Sequence, residues 1–490
     1  MTPLSRREFL GAAATLGAGA LRTVRPGGFL VGPRSPVREY RLTARPTDWD
    51  TGGGSTAPAW TYNGTVPGPE LRVREGETLR VVLHNELPEP TTIHWHGVPV
   101  PFPMDGVPDL TQPAVAPGGR FTYEFVPRVS GTYWYHTHVG YQLDRGLYGV
   151  LIVEPGSEAL SYDQEYTLVF DDWLRDPDHP RPNPNASGMM GMEGMMGGMG
   201  GMMSHEKPPA SDQSHHQPSR VEPLYDGLIV NGRGDRTASE LRVRRGDRVR
   251  LRLVNAGSAF PLRIQVGGHE MELTHADGQL IVPRKTRAVA LGMGERWDVL
   301  IEARHPGLWP LTATAPGGER VTMLIRYEGV RSTRPEPAPR EAEGEETVSY
   351  DELSGATPAA VPVPDRVYYL VLSGGMMDPT RWTINGRMHP NTDPIPVRLM
   401  ERVRLRLTNM SMMPHPMHLH GHFFQLLSFN GRRLSSPIRK DTIMLGHMEG
   451  GTLDVVADNP GARWLFHCHN LYHHLAGMAT ELRYTGGRST

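Results

Sequence analysis

The sequence predicts an all-β protein made of three Greek-key β-sandwich domains. The chain has 490 residues, enough for about three domains of ordinary size. Gly (56) and Pro (45) together make up about a fifth of it, which is typical of a protein rich in turns. In addition, one strand-forming segment recurs three times along the chain, which indicates a repeated structural unit.

Each copy of the repeat alternates apolar and polar residues, as a half-buried strand does. The copies span residues 71–85, 241–255 and 397–409, and the first two match closely. Their apolar positions are Leu79, Val81 and Leu83 in the first copy, Val249, Leu251 and Leu253 in the second, and Val403, Leu405 and Leu407 in the third. An Asn-Gly pair precedes each copy, at Asn63, Asn231 and Asn385, and predicts a tight turn there.

A second recurring feature closes each unit and helps to set the domain boundaries. It reads Gly131-Thr-Tyr-Trp-Tyr-His136 in the first unit and recurs around Trp309 and Trp464. The predicted domains are 37–157, 158–330 and 366–490, joined before the third by a linker, 331–365, that is rich in Pro, Glu and Ala. Residues 174–222 lack alternation and are predicted to be a Pro-, Met- and His-rich insertion in the second domain.

The N-terminal 36 residues predict export. The pair Arg6-Arg7 precedes an apolar run that ends at Leu21, and Ala18-Gly19-Ala20 forms a small-residue cleavage site. This pattern resembles a twin-arginine signal peptide followed by a short arm, and the alternative is a disordered basic N-terminus. The apolar run is shorter than the roughly 20 residues of a membrane helix. We therefore expect a bacterial protein without a membrane span, periplasmic or extracellular, whose export partner is the twin-arginine machinery.

Composition argues against several functional classes. Lys and Arg total 51 and Asp and Glu total 53, so the net charge of −2 attracts neither nucleic acid nor an anionic membrane. The chain has one cysteine, Cys468, which excludes an internal disulfide. It contains no phosphate-binding Gly-Lys-Ser/Thr loop, no Gly-x-Ser-x-Gly motif and no Cys-x-x-Cys pair. We expect a monomer.

Ten of the 22 histidines lie in four short segments, which read His94-Trp-His96, His136-Thr-His138, His415-Pro-Met-His418-Leu-His420, and His467-Cys468-His469 with His473 downstream. Two histidines separated by one residue on a strand point to the same face, where both can reach a metal. Cys468 then points to the opposite face, so that one tripeptide can join two metal centres. A single pair could equally be exposed or part of the core, but four pairs in the two outer repeats indicate metal binding. The middle repeat has Thr312-Ala-Thr314 instead.

Cys468, with His415, His473 and Met478, offers a thiolate, two imidazoles and a thioether. This set is typical of a blue-copper electron-transfer site, whereas zinc favours a closed Cys/His tetrahedron without the thioether. The other eight histidines of the four segments form four pairs, which is enough for a cluster of three copper ions.

With these motifs the chain resembles the three-domain multicopper oxidases of the bacterial laccase and periplasmic cuprous oxidase type, over nearly its whole mature length. The resemblance implies cupredoxin-like domains, four copper ions as cofactors and dioxygen as a substrate. It implies a type 1 copper held by His415, Cys468 and His473 with Met478 axial, a type 2 copper held by His94 and His418, and a type 3 pair held by His96, His136 and His469 on one ion and by His138, His420 and His467 on the other.

The resemblance also implies the reaction. Single electrons enter at the type 1 site and pass through Cys468 to His467 and His469, and four of them reduce dioxygen to two waters. Asp105 resembles the acid that many bacterial members place near the type 2 copper, although an Asp-Gly turn would also explain it. His474 stands where many relatives carry a proton-donating carboxylate, and its role is left open.

The sequence leaves two hypotheses for the reducing substrate. Between Met189 and Met203 eight of fifteen residues are methionines, and thioethers prefer Cu(I). This tract favours cuprous ion as the substrate, with Met189, Met192, Met195, Met199, Met202, Met412 and Met413 as candidate substrate ligands. The alternatives are a laccase that oxidises phenols and aromatic amines, with the tract as a linker without ligands, and a non-enzymatic copper-binding protein. Ser411 stands where copper-tolerance oxidases have an aspartate, which weakens the cuprous hypothesis.

Overall fold

Strands dominate the structure, a computed structural model that describes residues 36–54, 56–183, 220–337, 347–376 and 378–486. Within these residues the strands form six sheets, and there is one α-helix, α1 (Leu471–Leu475). The predicted all-β class is therefore confirmed. No helix in the described residues has the length and apolar character needed to span a membrane. The N-terminal signal and the Met tract lie outside the described residues.

The first sandwich consists of two four-stranded sheets with the strand orders β2-β1-β4-β6 and β3-β8-β7-β5. Its strands are β1 (Val37–Asp50), β2 (Thr56–Tyr62), β3 (Leu71–Arg74), β4 (Thr78–Asn85), β5 (His94–His96), β6 (Arg120–Phe125), β7 (Gly131–His136) and β8 (Tyr148–Glu154). Two short 3-10 helices, Phe102–Met104 and Leu143–Arg145, lie in its loops.

The middle sandwich pairs a six-stranded sheet, β10-β9-β12-β17-β14-β15, with a five-stranded sheet, β11-β19-β18-β13-β16. Its strands are β9 (Gln164–Trp173), β10 (Gly227–Val230), β11 (Leu241–Val243), β12 (Arg248–Asn255), β13 (Leu262–Val266), β14 (Met271–Ala276), β15 (Gln279–Thr286), β16 (Ala288–Leu291), β17 (Arg296–Glu302), β18 (Leu308–Thr314) and β19 (Arg320–Tyr327).

The third sandwich has the same plan, with sheet orders β21-β20-β23-β28-β25-β26 and β22-β30-β29-β24-β27. Its strands are β20 (Arg366–Gly374), β21 (Trp382–Ile384), β22 (Ile395–Val397), β23 (Arg402–Asn409), β24 (His415–Leu419), β25 (Phe424–Phe429), β26 (Arg432–Lys440), β27 (Thr442–Leu445), β28 (Gly450–Val456), β29 (Arg463–Cys468) and β30 (Ala479–Tyr484). Helix α1 connects β29 to β30.

The repeat found in the sequence corresponds to a repeated strand pair. In each sandwich the opening strand runs parallel to the strand of the repeat, as β1 with β4, β9 with β12, and β20 with β23. The three Asn-Gly turns adopt the left-handed backbone that favours Asn and Gly, with φ of 59° at Asn63, 49° at Asn231 and 53° at Asn385. Each Asn side chain also accepts a hydrogen bond from the opening strand, which fixes the turn against it.

The alternation predicted for the repeat strands is confirmed, because all nine of their predicted apolar side chains are buried in the sandwich cores. The middle sandwich departs from strict alternation at Arg250 and Arg252, which are buried as well. Both guanidinium groups bind the buried carboxylate of Asp298 on β17, so paired charges replace the exposed polar face that the pattern predicts.

The predicted linker 331–365 is in part ordered against the sandwiches. A 3-10 helix, Tyr350–Glu352, begins with a capping box at Ser349, and Leu353 is buried directly after it. The Tyr350 hydroxyl donates a hydrogen bond to Glu295 in the middle sandwich and accepts one from the Met444 N–H in the third. This part of the linker therefore contacts both sandwiches that it connects.

Candidate metal centres

Two strands and the helix of the third sandwich bring a thiol and two imidazoles together. His415 begins β24, Cys468 ends β29 and His473 lies in α1. The Cys468 Sγ atom is 3.5 Å from His415 Nδ1 and 3.8 Å from His473 Nδ1, and the two Nδ1 atoms are 3.1 Å apart. Met478 is buried with them, and its main-chain oxygen accepts a hydrogen bond from the Cys468 N–H at 3.0 Å. These four residues are called the Cys468 site below.

Neighbouring side chains fix the orientation of both imidazoles in the Cys468 site. Ser411 Oγ lies 2.6 Å from His415 Nε2, so that Nδ1 of this ring remains for the site. The Trp382 ring lies against the His473 ring, with centroids 3.8 Å apart. Asn470 caps α1, and its Oδ1 atom accepts a hydrogen bond from the His473 N–H at 3.1 Å.

Eight histidines converge in a second cluster, the histidine site, between the first and third sandwiches. They are His94, His96, His136, His138, His418, His420, His467 and His469, whose rings are in mutual contact. Strand pairing explains the convergence: β5 pairs with β7 so that His94 lies opposite His136, and β24 pairs with β29 so that His418 lies opposite His467. Because Cys468 at the end of β29 lies between His467 and His469 in the sequence, one segment contributes side chains to both sites.

Hydrogen bonds to fixed oxygens select the tautomer of several of these rings. The Nδ1 atoms of His94, His136, His418 and His467 lie 2.8, 2.8, 3.0 and 2.8 Å from the main-chain oxygens of Asp105, Thr137, Asp441 and Cys468, respectively. A carbonyl oxygen can only accept, so each of these Nδ1 atoms carries the hydrogen and donates it. The Nε2 atom of each ring is left with a free lone pair.

Six of the remaining ring nitrogens of the histidine site have no hydrogen-bond partner in the described part of the chain. The Nε2 atoms of His94, His136 and His418, the Nδ1 atom of His96 and both nitrogens of His469 are buried without a hydrogen bond. The Nε2 atoms of His420 and His467 face each other at 3.0 Å, although Nδ1 of each ring is already bonded to an oxygen. Burying so many unpaired acceptors is costly unless cations bind them. Imidazoles and one thiolate are ligands that suit copper.

Burial favours the neutral, metal-binding form of nine imidazoles in the two sites. Desolvation lowers the pKa of His96, His136, His138, His420, His467, His469 and His473 well below the ordinary value, lowers that of His418 and lowers that of His415 to about 3. Burial raises the pKa of the Cys468 thiol. A thiolate at this position therefore requires a bound cation beside it.

Asp105 contacts the histidine site from the first sandwich. Its carboxylate is fully buried, and Oδ2 accepts a hydrogen bond from His420 Nδ1 at 2.9 Å. Oδ1 lies 3.3 Å from His94 Nδ1 and has no hydrogen-bond partner. Asp105 therefore lies beside His94, and its carboxylate also bridges to a histidine of the third sandwich.

Sequence reasoning missed a second carboxylate at this site. Asp441 Oδ1 lies 3.1 Å from His96 Nε2, and the neighbouring Thr442 Oγ1 lies 3.0 Å from the same atom. Arg296 of the middle sandwich binds both carboxylate oxygens of Asp441. Burial alone would raise the pKa of the Asp441 carboxyl, but the Arg296 guanidinium outweighs it and holds the pKa well below the usual range. The sequence carries only a weak signal for this carboxylate, because Asp441 is a single acidic residue in the short segment Lys440-Asp441-Thr442 between two strands.

The other predicted site residues fall into three groups. The His474 ring lies against the His467 ring with centroids 4.2 Å apart, and 5.2 Å from His138, so it borders the histidine site. Met412 is exposed, whereas Met413 is partly buried against the core. Met189, Met192, Met195, Met199 and Met202 lie outside the described residues.

Comparison with known proteins agrees with this arrangement. Models of a family described as multicopper oxidase match residues 43–158, 203–329 and 362–487. The multicopper oxidase MmcO of Mycobacterium tuberculosis is 37% identical over 462 residues, covering 90% of this chain and 86% of that protein. A copper resistance protein A homologue of Pseudomonas syringae pv. tomato is 27% identical over 598 residues, 98% of this chain and 99% of that protein.

A solved structure shares the fold. The crystal structure of a multi-copper oxidase from Pseudomonas thermotolerans superimposes with a TM-score of 0.70 at 28% identity, over 92% of this chain and 100% of that one. The match extends over all three sandwiches, so the three-sandwich plan is common to both proteins.

Proposed function

Because the chain belongs to the multicopper oxidase family, we propose that it oxidises cuprous ion at the Cys468 site and uses four of the electrons to reduce dioxygen to two waters at the histidine site. The observation that carries this proposal is the tripeptide His467-Cys468-His469. Its thiol belongs to one site and both of its imidazoles belong to the other, so a short covalent path joins the two.

We propose that these donor atoms would hold four copper ions. A type 1 copper would be held by His415, Cys468, His473 and Met478, a type 2 copper by His94 and His418, and a type 3 pair by His96, His136 and His469 on one ion and by His138, His420 and His467 on the other. In support, the donor atoms of His415, Cys468 and His473 lie within 4.8 Å of one another, as do those of His96, His136 and His469, and His420 Nε2 faces His467 Nε2. His138 and His467 also lie within that distance of His474. When bound, copper supplies one-electron redox chemistry and an affinity for dioxygen. The protein orients the ligands, keeps the imidazoles neutral and leaves their free nitrogens directed at one another.

Reduction of dioxygen to water consumes protons, and the contacts of Asp105 support a role in delivering them. Its Oδ1 atom is buried, lacks a hydrogen-bond partner and lies beside His94, so it can hold a proton at the edge of the histidine site. Its Oδ2 atom is meanwhile anchored to His420 Nδ1. We propose that Asp105 donates protons during dioxygen reduction.

Exposed thioethers beside the Cys468 site support cuprous ion as the reductant. Met410 and Met412 flank Ser411, whose hydroxyl contacts His415. Met448 lies beside the same loop, because its N–H donates a hydrogen bond to the main-chain oxygen of Asn409. The exposed fractions of these three methionines are 49%, 52% and 60%, which is unusual for so apolar a side chain. We call them the methionine surface. Soft thioether ligands select Cu(I) over harder cations.

The first experiment compares dioxygen uptake by the copper-loaded protein with Cu(I) and with a dimethoxyphenol. The variants are a deletion of residues 187–203 and the triple replacement of Met410, Met412 and Met448 by Leu. Met400→Leu is the matched control, because Met400 is equally exposed but lies at the other end of β23. We expect both variants to lose Cu(I) turnover at low Cu(I) concentration while phenol turnover is retained and the control is unchanged.

Other outcomes separate the alternatives. Fast phenol turnover in every variant, together with a slow Cu(I) turnover that is the same with and without the methionines, would make the protein a laccase. Copper binding without dioxygen consumption would make it a non-enzymatic copper-binding protein.

We also propose that the protein is exported by the twin-arginine route. The Arg6-Arg7 pair and the apolar run that follows it support this. In a bacterium with a functional twin-arginine system, the variant in which lysine replaces both arginines should remain in the cytoplasm. Export that persists in this variant would contradict the proposal.

A further inference from the structure

The middle sandwich reaches the histidine site without contributing a ligand to it. None of the potential metal-binding groups found in the described residues includes a side chain from 158–330. Nevertheless, the turn before β17 and the first residue of that strand approach the site, and they contribute Gly294 and Arg296.

Gly294 touches the histidine rings directly. Its backbone has φ of +82°, and a Cβ atom at this position would lie 2.9 Å from His96 Cε1 and 3.0 Å from His469 Cγ. Both rings therefore lie against a glycine because no side chain fits there. This contact places the middle sandwich in van der Waals range of two candidate ligands.

Arg296 joins all three sandwiches at one buried point. Its side chain is fully buried, and it donates hydrogen bonds of 2.7 and 2.6 Å to the two carboxylate oxygens of Asp441 in the third sandwich. Its Nε–H donates to the Thr132 main-chain oxygen in the first sandwich at 3.2 Å. Two parallel bonds between a guanidinium and a carboxylate fix the carboxylate in orientation as well as in charge.

Asp441 in turn orients the rings of two histidines through hydrogen bonds. Its Oδ1 atom accepts a hydrogen bond from His96 Nε2 at 3.1 Å, which leaves Nδ1 as the free nitrogen of that ring. Its main-chain oxygen accepts from His418 Nδ1 at 3.0 Å, which leaves Nε2 free. One residue thus selects opposite tautomers in two adjacent rings, as the proposed ligand set requires.

Two further features support the same arrangement. Gly97 follows His96 with φ of +82°, and a Cβ atom there would come within 2.5 Å of Arg296 Nη2 and Asp441 Oδ2, so the ion pair requires a glycine at this position. Asp277 of the middle sandwich accepts hydrogen bonds from the N–H groups of Asp441 and Thr442 at 3.3 and 3.1 Å. The middle sandwich therefore holds both the side chain and the backbone of Asp441.

We propose that Arg296 is a positioning residue for the trinuclear copper cluster, which acts through Asp441 to set the tautomers and ring orientations of His96 and His418. The middle sandwich thereby completes a metal site to which it gives no ligand. This inference rests on the proposed function in one respect, namely that the histidine site binds copper. It does not depend on which reductant the protein oxidises.

A second ion pair on the same strand provides a matched control. Asp298, two residues after Arg296 on β17, is bound by Arg250 at 2.5 Å and accepts a hydrogen bond from the Thr132 hydroxyl at 2.8 Å. This network is equally buried and also bridges to the first sandwich, but none of the eight histidines of the site hydrogen-bonds to it. Loss of Arg250 therefore removes a comparable buried charge without disturbing the histidine site.

The experiment compares the wild type with Arg296→Met, Arg296→Lys and Arg250→Met after copper loading. The readouts are copper content per chain, the blue absorption of the Cys468 site and the electron paramagnetic resonance signal of the type 2 copper. For Arg296→Met we expect the apparent affinity for trinuclear copper to fall about 10- to 100-fold, the range typical when a group that orients metal ligands is lost. We expect the type 2 signal to disappear or shift while the blue absorption persists. Arg250→Met should keep the wild-type copper content and both signals.

Each outcome is decisive. A wild-type type 2 signal and full copper content in Arg296→Met would overturn the inference, as would an equal loss of trinuclear copper in Arg250→Met. If Arg296→Met does not fold, Arg296→Lys decides the question, because it keeps the charge but cannot bind both carboxylate oxygens. An unperturbed type 2 signal in that variant would then refute the proposal. A wild type that binds no trinuclear copper would refute the proposed function itself.

Discussion

The imidazole rings of His96 and His418 stack with centroids 3.6 Å apart and an interplanar angle of 13°. One ring belongs to the first sandwich and the other to the third, and a second stacked pair, His94 with His420, repeats the arrangement at 3.9 Å. The histidine site is therefore an interface between two sandwiches. It forms only when these two sandwiches have folded and packed together, whereas the Cys468 site lies within the third sandwich alone.

Replacement of Cys468 by Ser tests the electron path. In the proposed copper assignment the Cys468 thiol, 3.5 Å from His415 Nδ1, is the sulfur ligand of the Cys468 site, and the residue is covalently joined to His467 and His469 of the histidine site. We expect Cys468→Ser to abolish the blue absorption and reduce dioxygen uptake to the background of free copper, while the copper content falls by about one ion per chain because the histidine site stays filled. Visible absorption, copper analysis and oxygen-electrode rates measure these effects. Sustained turnover in this variant would refute the path.

Replacement of Met478 by Leu tests the axial ligand. Met478 is fully buried between α1 and β30. The change conserves volume, so we expect a stability loss below about 1.5 kcal/mol. Removal of a weak thioether ligand should disfavour the oxidised copper and raise the reduction potential without emptying the site. Redox titration of the blue absorption measures this. An unchanged potential would mean that Met478 is not the axial ligand.

Much of this arrangement could be predicted from the sequence because it depends on local periodicity. Alternation along the repeat strands places Leu79 and its equivalents in the core, and the His-x-His spacing directs two imidazoles to one face of a strand. The contribution of Arg296 could not be predicted, because it depends on the distance between a strand of the middle sandwich and a turn of the third. From the sequence pattern alone, an isolated arginine in a strand is predicted to be exposed to solvent.

Replacement of Asp105 by Asn tests the proposed proton donor. The amide oxygen can still accept the hydrogen bond from His420 Nδ1, but the side chain can no longer release a proton. We expect anaerobic bleaching of the blue absorption by Cu(I) to be unaffected and dioxygen uptake to slow by about 100-fold or more. Rapid-mixing absorption and oxygen-electrode rates separate the two steps. Equal slowing of both steps would point to a structural role instead.

Glu222 provides a prediction about the pH dependence of stability. It is the last residue of the predicted insertion, is buried, and accepts a hydrogen bond at 3.1 Å from Asn470, the residue that caps α1. Burial raises the pKa of Glu222 from its ordinary value of 4.5 to about 7. A carboxyl whose pKa is higher in the folded protein than in the unfolded chain favours folding at low pH. That advantage is lost as the pH rises from about 4.5 to about 7.

We therefore expect Glu222→Gln, which keeps the hydrogen bond from Asn470 but carries no charge, to match the wild type near pH 4 and to exceed it above pH 7. The difference in unfolding free energy at the higher pH should approach about 3 kcal/mol, since each unit of pKa shift corresponds to about 1.4 kcal/mol. Urea unfolding of the copper-free proteins at both pH values measures it. Glu319→Gln, at an exposed glutamate between β18 and β19 of the middle sandwich, is the control and should show no such dependence. A gap between wild type and Glu222→Gln that does not widen with pH would contradict the prediction.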